Sequence, residues 1–423
     1  MNRRPLAILG LGAAAVVLTA GGCGPSAAQR AYQEARTAFF AADYAVAAEE
    51  LRPYADRTDE NFALQNARLG LIYLAAGELD AAEAAFLRAY EVIHSVGVND
   101  GGRTLGAVLV DEKLRVWKGE PFERAMVSFY LGVVYSILGD LNNARAAYEN
   151  ALFRLRDFDD DRDQLRADEL ESNFTLASIM LGRTWQRLGR DDLAGAAFRR
   201  ALELQPSLGE LADPNVHRRS NVLLVVDQGY GPRRATRFDG SVLAFEPTPQ
   251  MVGPPPTPKV FIGNVLYPLG NVTQPPVDLL ALAQERRWQS IDTIRATKSA
   301  VGTGMIVGSV IMADRGLSAS GARQRTDLAV AAGLLAGGLL LKATSQADVR
   351  EWGLLPRSTY LLPLSLNPGT YDIAVEFSDG SRAAVTGLPA PALPNETVVY
   401  LRATRAKLPP MPNRTAARTA PAP

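Results

Sequence analysis

Apolar and small positions in the first half of this chain recur with the spacing of paired helices. Leu69-Gly70-x-x-Tyr73, then Gly77, Ala82, Phe86 and Ala89, set the pattern. It returns as Leu131-Gly132-x-x-Tyr135, Gly139, Ala144, Tyr148 and Ala151. A third copy is Leu181-Gly182-x-x-Trp185, Gly189, Ala194, Phe198 and Ala201, closed by Pro206. Large residues three and four apart build one face of a helix. The small ones belong where two backbones approach, so Gly70, Gly132 and Gly182 are expected at the crossing of the two helices in each pair. Ala82, Ala144 and Ala194 do the same from the second helix. Gly77, Gly139 and Gly189 follow the first helix, where a left-handed residue stops it. Pro206 lies just past the last helix, which it cannot continue. A weaker copy lies upstream, with Ala35, Asp43-Tyr44, Ala47 and Leu51, and Ala38 where an aromatic is expected. It reads as a degenerate capping unit.

After Leu208 the period shortens. Residues 221–227 (Asn-Val-Leu-Leu-Val-Val-Asp), 240–245 and 259–263 read as strands between turn residues. Residues 360–366, 370–377 and 397–402 read the same way, with turns at Asn367-Pro368-Gly369 and Ser378-Asp379-Gly380-Ser381. Gly229 to Arg234 reads as a loop with a basic end, and 247–258 as a proline-rich connector. Six or so strands make a small β-sandwich. Between the two groups lie apolar runs at 300–313 and 328–341, rich in glycine. As helices each spans about 21 Å, short of the ~30 Å hydrocarbon core of a bilayer. They are expected to form a helical hairpin against the sandwich, with membrane association or self-association as the alternative.

The repeated arrangement resembles the tetratricopeptide repeat, a helix–turn–helix unit of about 34 residues. The resemblance implies a stacked solenoid that binds other proteins. It also implies that first-helix residues line a concave groove. Carried onto this chain, the candidate groove residues are Leu64, Ala67, Leu71 and Leu74, then Met126, Phe129, Val133 and Ile137, then Leu176, Ile179, Arg183 and Arg187. Such a groove is apolar through two repeats and positive at the third. It suits an extended or helical segment with an acidic group beside Arg183 and Arg187, since guanidinium pairs bidentately with carboxylate. The same positions also suit coverage by the chain's own 91–121 insertion or by its sandwich.

Residues 1–22 read as a secretion signal: Arg3 and Arg4, an apolar core from Leu6 to Leu18, then Ala20-Gly21-Gly22 before Cys23. The small residues before this lone cysteine resemble a bacterial lipobox, which implies lipidation of Cys23 and a firm membrane anchor. Gly24 after the cysteine fits export to the outer membrane. The blocks Leu105 to Lys113 and Trp117 to Arg124 resemble those of a family of bacterial lipoproteins that join such repeats to a β-rich tail. Members are thought to act at the cell envelope, and no activity is established for them.

Composition narrows the chemistry. The chain has 45 basic and 45 acidic residues, which argues against nucleic acid as a partner. It has one cysteine and two histidines, His94 and His217, so Cys/His zinc sites cannot be assembled. Asp157, Asp159, Asp161, Asp163 and Asp168 are spaced like a calcium loop, but Arg162 stands where glycine is required, so a solvated connector is expected. No cofactor, metal or catalytic residue is assigned.

The expected organisation is a signal at 1–22, a repeat domain at 23–208 with insertions at 91–121 and 156–171, a β-rich domain at 209–407 containing a helical pair at 282–348, and a disordered tail at 408–423. The fold class is α+β. The expected function is a periplasm-facing, outer-membrane-anchored scaffold, not an enzyme, that binds other envelope proteins. Two alternatives stand beside it. One is a carbohydrate- or ligand-binding protein, or an enzyme, with its site on the β-domain at Asp227, Arg233, Arg234, Trp352 or Tyr360. The other is a structural subunit that assembles into homo-oligomers through the glycine-rich pair.

Overall fold

A computed structural model describes residues 26–94, 116–153, 155, 174–237, 242–249, 253–284 and 350–405. The expected signal and Cys23, most of the insertion at 91–121, the aspartate-rich stretch, the glycine-rich apolar runs and residues 406–423 lie outside these residues. Eight helices form four antiparallel hairpins: α1 (Ala27–Phe40) with α2 (Tyr44–Ala55), α3 (Phe62–Ala76) with α4 (Leu79–His94), α5 (Pro121–Leu138) with α6 (Leu141–Phe153), and α7 (Thr175–Arg187) with α8 (Asp191–Leu204). Each hairpin also packs on the next, α2 on α3, α4 on α5 and α6 on α7. No described helix is long and apolar enough to cross a membrane.

The crossings follow the glycines. A Cβ added at Gly132 would lie 2.4 Å from the Tyr148 ring, at Gly70 2.7 Å from Phe86, and at Gly182 3.0 Å from Phe198. Each first-helix glycine therefore sits under the second-helix aromatic of its own hairpin. In the first hairpin Ala35 and Leu51, both fully buried, stand at the positions of the glycine and the aromatic. Gly77 and Gly139 cap their helices with φ of 78°. Ala42 stands at the corresponding place in the first hairpin and carries φ 63°, a conformation costly for a residue with a Cβ.

A 3-10 stretch (Pro206–Ala212) and a short helix α9 (Pro214–Arg219) lead into the β-region. Its strands are β1 (Val222–Gln228), β2 (Arg233–Arg237), β3 (Val242–Glu246), β4 (Pro258–Ile262), β5 (Val265–Tyr267), β6 (Val277–Asp278), β7 (Ser358–Leu364), β8 (Gly369–Phe377), β9 (Arg382–Ala390) and β10 (Thr397–Ala403), with helix α10 (Leu279–Gln284) after β6. They form sheets of order β10-β1-β7-β6 and β5-β4-β8-β9, with β2-β3 as a separate pair. In the first sheet β1 pairs parallel with β10 and antiparallel with β7.

The continuous apolar run of β1 is explained by burial on both faces. Val222, Leu224 and Val226 pack against Val260, Ile373 and Val375 of the second sheet, which makes the sandwich. Leu223 and Val225, with Leu361, Val398 and Tyr400, join the hydrophobic core of the helices. The architecture is thus helices, sheet, sheet, with β1 between the two cores. Strand β2 corrects the expected basic loop: the turn ends by Pro232, and Arg233 to Arg237 pair with β3. Short β5 and β6 carried no alternating signal.

Candidate functional site

The inner face of the first helices does not stand open. Leu64, Ala67, Leu71, Leu74, Met126, Phe129, Val133, Leu176 and Ile179 are buried, and Ile137 packs at the edge of the same core. That core is continuous with Leu223, Val225, Leu361, Val398 and Tyr400 of the first sheet. Strand β10 lies against α3 and α5. Of the two readings open for these positions, the structure matches coverage by the chain's own sandwich, whose first sheet lies against them. The physical reason is area, since an apolar helix face this long gains most by staying out of water.

Three polar clusters rivet the filled groove. At its centre the carboxylate of Asp227, fully buried, accepts hydrogen bonds from Tyr130 Oη at 2.6 Å, Thr359 Oγ1 at 2.6 Å and Tyr400 Oη at 2.7 Å. Arg402 Nη1 approaches at 3.8 Å. The register explains this convergence, because Asp227 is the Cα partner of Arg402 on one side and of Thr359 on the other. Tyr130 reaches in from α5. Burial raises the Asp227 carboxyl while Arg402 opposes it. Burial and the neighbouring carboxylate hold the Tyr130 and Tyr400 phenols well above their ordinary value, so both remain donors.

At one end, Arg183 and Arg187 of α7 clamp Glu396, the residue just before β10. Arg187 Nη2 lies 3.0 Å from its carboxylate, and Arg183 Nη2 pairs with the same oxygen. Arg183 also donates to Ser220 Oγ at 2.7 Å, and Arg187 to the Ser220 carbonyl at 2.7 Å. His217 completes this cluster. Its Nε2 lies 2.7 Å from the Leu211 carbonyl and its Nδ1 3.2 Å from Arg183, a geometry that fits a proton on Nε2. Burial, with Arg183 adding to it, lowers His217 to about 3, so the ring is neutral.

At the other end, Arg234 of β2 pairs with Glu123 of α5, both side chains 2% exposed. Glu123 also accepts from the Trp352 amide at 3.0 Å, and Glu351 accepts from the Arg234 amide at 2.8 Å. Arg68 of α3 bonds the Glu351 carbonyl and stacks on Tyr32, its guanidinium 3.5 Å from the ring centre.

The residues named for the alternative ligand site on the β-domain fall in different places. Asp227 and Arg234 are inside the seam, and Trp352 and Tyr360 are buried core residues. Only Arg233 faces solvent, paired with Glu246 at 3.2 Å. His94 stacks on Tyr90 at the end of α4, with ring centres 3.9 Å apart. Among the described residues no cluster of three or more His, Cys, Asp or Glu could hold a metal. Sequence reasoning missed Glu396, which sits in a loop without periodicity. Glu123 carried only a weak signal, an acid next to Arg124 at the start of a helix that is apolar from Ala125 to Val127.

The hairpin geometry agrees with comparison to known proteins. A tetratricopeptide repeat family model matches residues 66–93, 129–152 and 177–208. The chain contains tetratricopeptide repeats. Those segments are the second, third and fourth hairpins; the Ala35/Leu51 hairpin is not among them. No curated protein matches the chain. A solved structure titled MamA AMB-1 matches at 18% identity, covering 45% of this chain and 83% of that one, with a TM-score of 0.27. Likeness at that level carries no argument here.

Proposed function

We propose that this protein is a lipid-anchored scaffold of the cell envelope, held at the outer membrane through Cys23 and facing the periplasm. It performs no catalysis. Its groove is occupied in cis, and it meets other envelope proteins through the outer surfaces of the repeats. The observation that carries the reading is the burial of Met126 and Val133 beneath its own sheet, while Val46, Leu87 and Leu202 on the second helices stay 42%, 37% and 41% exposed. Tetratricopeptide repeats generally serve protein binding, and a groove already filled leaves that task to the outer faces.

Photocrosslinking groups placed at Val46, Leu87 and Leu202, and separately at Met126 and Val133, test this in intact cells. Adducts with envelope proteins from the outer positions support the reading. Adducts from the groove positions alone would show that the sheet is displaced by partners and would sink it. The anchor is tested separately: Cys23→Ala should move the protein from the membrane to the soluble fraction.

A further inference from the structure

A lipid on Cys23 would sit very close to the folded chain. Only Gly24 and Pro25 separate Cys23 from Ser26. Ser26 already caps α1: its hydroxyl accepts from the Gln29 amide at 3.2 Å, and the Gln29 side chain accepts from the Ser26 amide at 2.8 Å. Three residue steps reach at most about 11 Å when fully extended. The headgroup layer on each side of a bilayer is about 5–7 Å deep. With acyl chains on Cys23 itself, the start of α1 cannot stand off the headgroups by more than a few ångströms, whatever path Gly24 and Pro25 take.

The hairpin decides what stands beside that start. Helices α1 and α2 have 14 and 12 residues, which makes them about 21 and 18 Å long. Running antiparallel from a tight turn, they finish at nearly one level. The end of α2 therefore lies beside the first turn of α1, at the open end of the hairpin. Ala27, Gln29, Pro53, Asp56, Arg57 and Thr58 are exposed there. These residues suit a headgroup layer. The first turn of α1 contains no acid. Tyr54 is half-buried, with the Arg57 guanidinium 4.5 Å from its ring centre. Rings of this amphipathic kind collect at the membrane–water interface. The neighbouring acids are engaged: Asp56 pairs with Arg88 at 3.2 Å, and Asp59 accepts from the Asn61 amide at 2.8 Å.

We propose that the open end of the first hairpin, the first turn of α1 together with Tyr54 and Arg57, rests on the phospholipid headgroups and is pinned there by the short tether. The inference rests on lipidation of Cys23. It sets the first repeat at the bilayer and gives the scaffold a fixed footing instead of a swinging one. Val46 stays available to partners, since it lies about 12 Å further along α2 than Tyr54.

Photocrosslinking groups placed singly at Ala27, Arg57, Val46 and Leu202 of the full chain, in the membranes of intact cells, test it, with phospholipid adducts read by mass. All four side chains are exposed, so none of these replacements empties the core. Adducts are expected at Ala27 and Arg57 and not at Val46 or Leu202. Inserting about 20 Gly and Ser residues between Pro25 and Ser26 lets the domain wander roughly 25 Å from its anchor. That insertion should cut the adducts about tenfold while the protein stays in the membrane fraction. A membrane-bound chain that gives no lipid adducts, equal labelling at Val46 or Leu202, or adducts that the insertion leaves unchanged overturns the proposal and leaves the anchor standing. A chain that is soluble with Cys23 intact removes the anchor and this contact together.

Discussion

The helical layer has two kinds of interface, built from opposite materials. Inside each hairpin, contact depends on matched sizes: glycine beneath Phe86, Tyr148 or Phe198, alanine opposite Leu51. Against the sheet, apolar burial is punctuated by charged and hydroxyl groups drawn from distant parts of the chain. Size matching can be met by several residue pairs and tolerates drift, as the first hairpin demonstrates. A buried acid is less forgiving, because removing one member leaves the rest without water or partner. The contrast suggests that the hairpins specify the stack, whereas the polar rivets specify what fills it. Buried polar groups serve such specificity in some systems.

The contrast breaks most severely at its centre. Asp227→Ala strands three hydroxyl donors and Arg402, and chemical denaturation should show a loss of about 3–5 kcal/mol. Asp227→Asn should lose less, since it retains an acceptor for the tyrosines. Glu396→Lys, which places a third cation beside Arg183 and Arg187, should cost about 3 kcal/mol by the same measurement. Unlike a hairpin defect, it should also make the segment around β10 susceptible to limited proteolysis.

Size matching should fail by degree. Gly132→Ala meets Tyr148, whose hydroxyl is itself held 2.9 Å from Ser136, and should destabilise by about 2 kcal/mol. Gly182→Ala, with 3.0 Å to Phe198, should cost about 1 kcal/mol or less because alanine's helix preference offsets the crowding. Equal losses at the two sites would remove size matching as the explanation.

The Arg183 end adds a dependence on pH through a buried histidine. His217 falls to about 3 in the folded chain, whereas an unfolded histidine titrates near 6.5. The unfolded state therefore binds the additional proton between those values, and stability is present above about 6.5 and lost as pH falls toward 3. At about pH 5.5 the loss from this group is about 1.4 kcal/mol. A His217→Gln variant should lack that increment when its stability at pH 5.5 and 7.5 is compared with the wild type. The smallest expected change is a gain. Ala42→Gly relieves the positive φ in the first hairpin and should stabilise by about 0.5 kcal/mol, seen as a small rise in Tm.

The two interfaces also differed in how legible they were. Local spacing revealed the hairpins, since Gly70, Gly77 and Phe86 report on one another within a single repeat. The main strands were legible through their apolar runs. β1, five apolar residues followed by Asp227 and Gln228, is buried throughout. The seam was not legible, because its partners lie far apart in sequence: Glu123 with Arg234, Arg183 with Glu396, Tyr130 with Asp227. Arg183 and Arg187 did announce a demand for a carboxylate. Nothing local indicated that Glu396 would meet it. The helix faces looked like a binding surface for the reason that they are one, and periodicity says nothing about whether the occupant is foreign.

The pairing of β1 with β10 carries a consequence for biogenesis. β1, the strand that follows the repeats, must wait for the distant β10 to emerge before its parallel neighbour exists. Until then the described helices are made but the sheet over them lacks β10, and loop closure of this span is entropically slow. A nascent or truncated chain ending before Glu396 would display a sticky trough to chaperones and proteases. Synthesis of β10 is thereby coupled to full coverage of an apolar helix face that would otherwise favour aggregation.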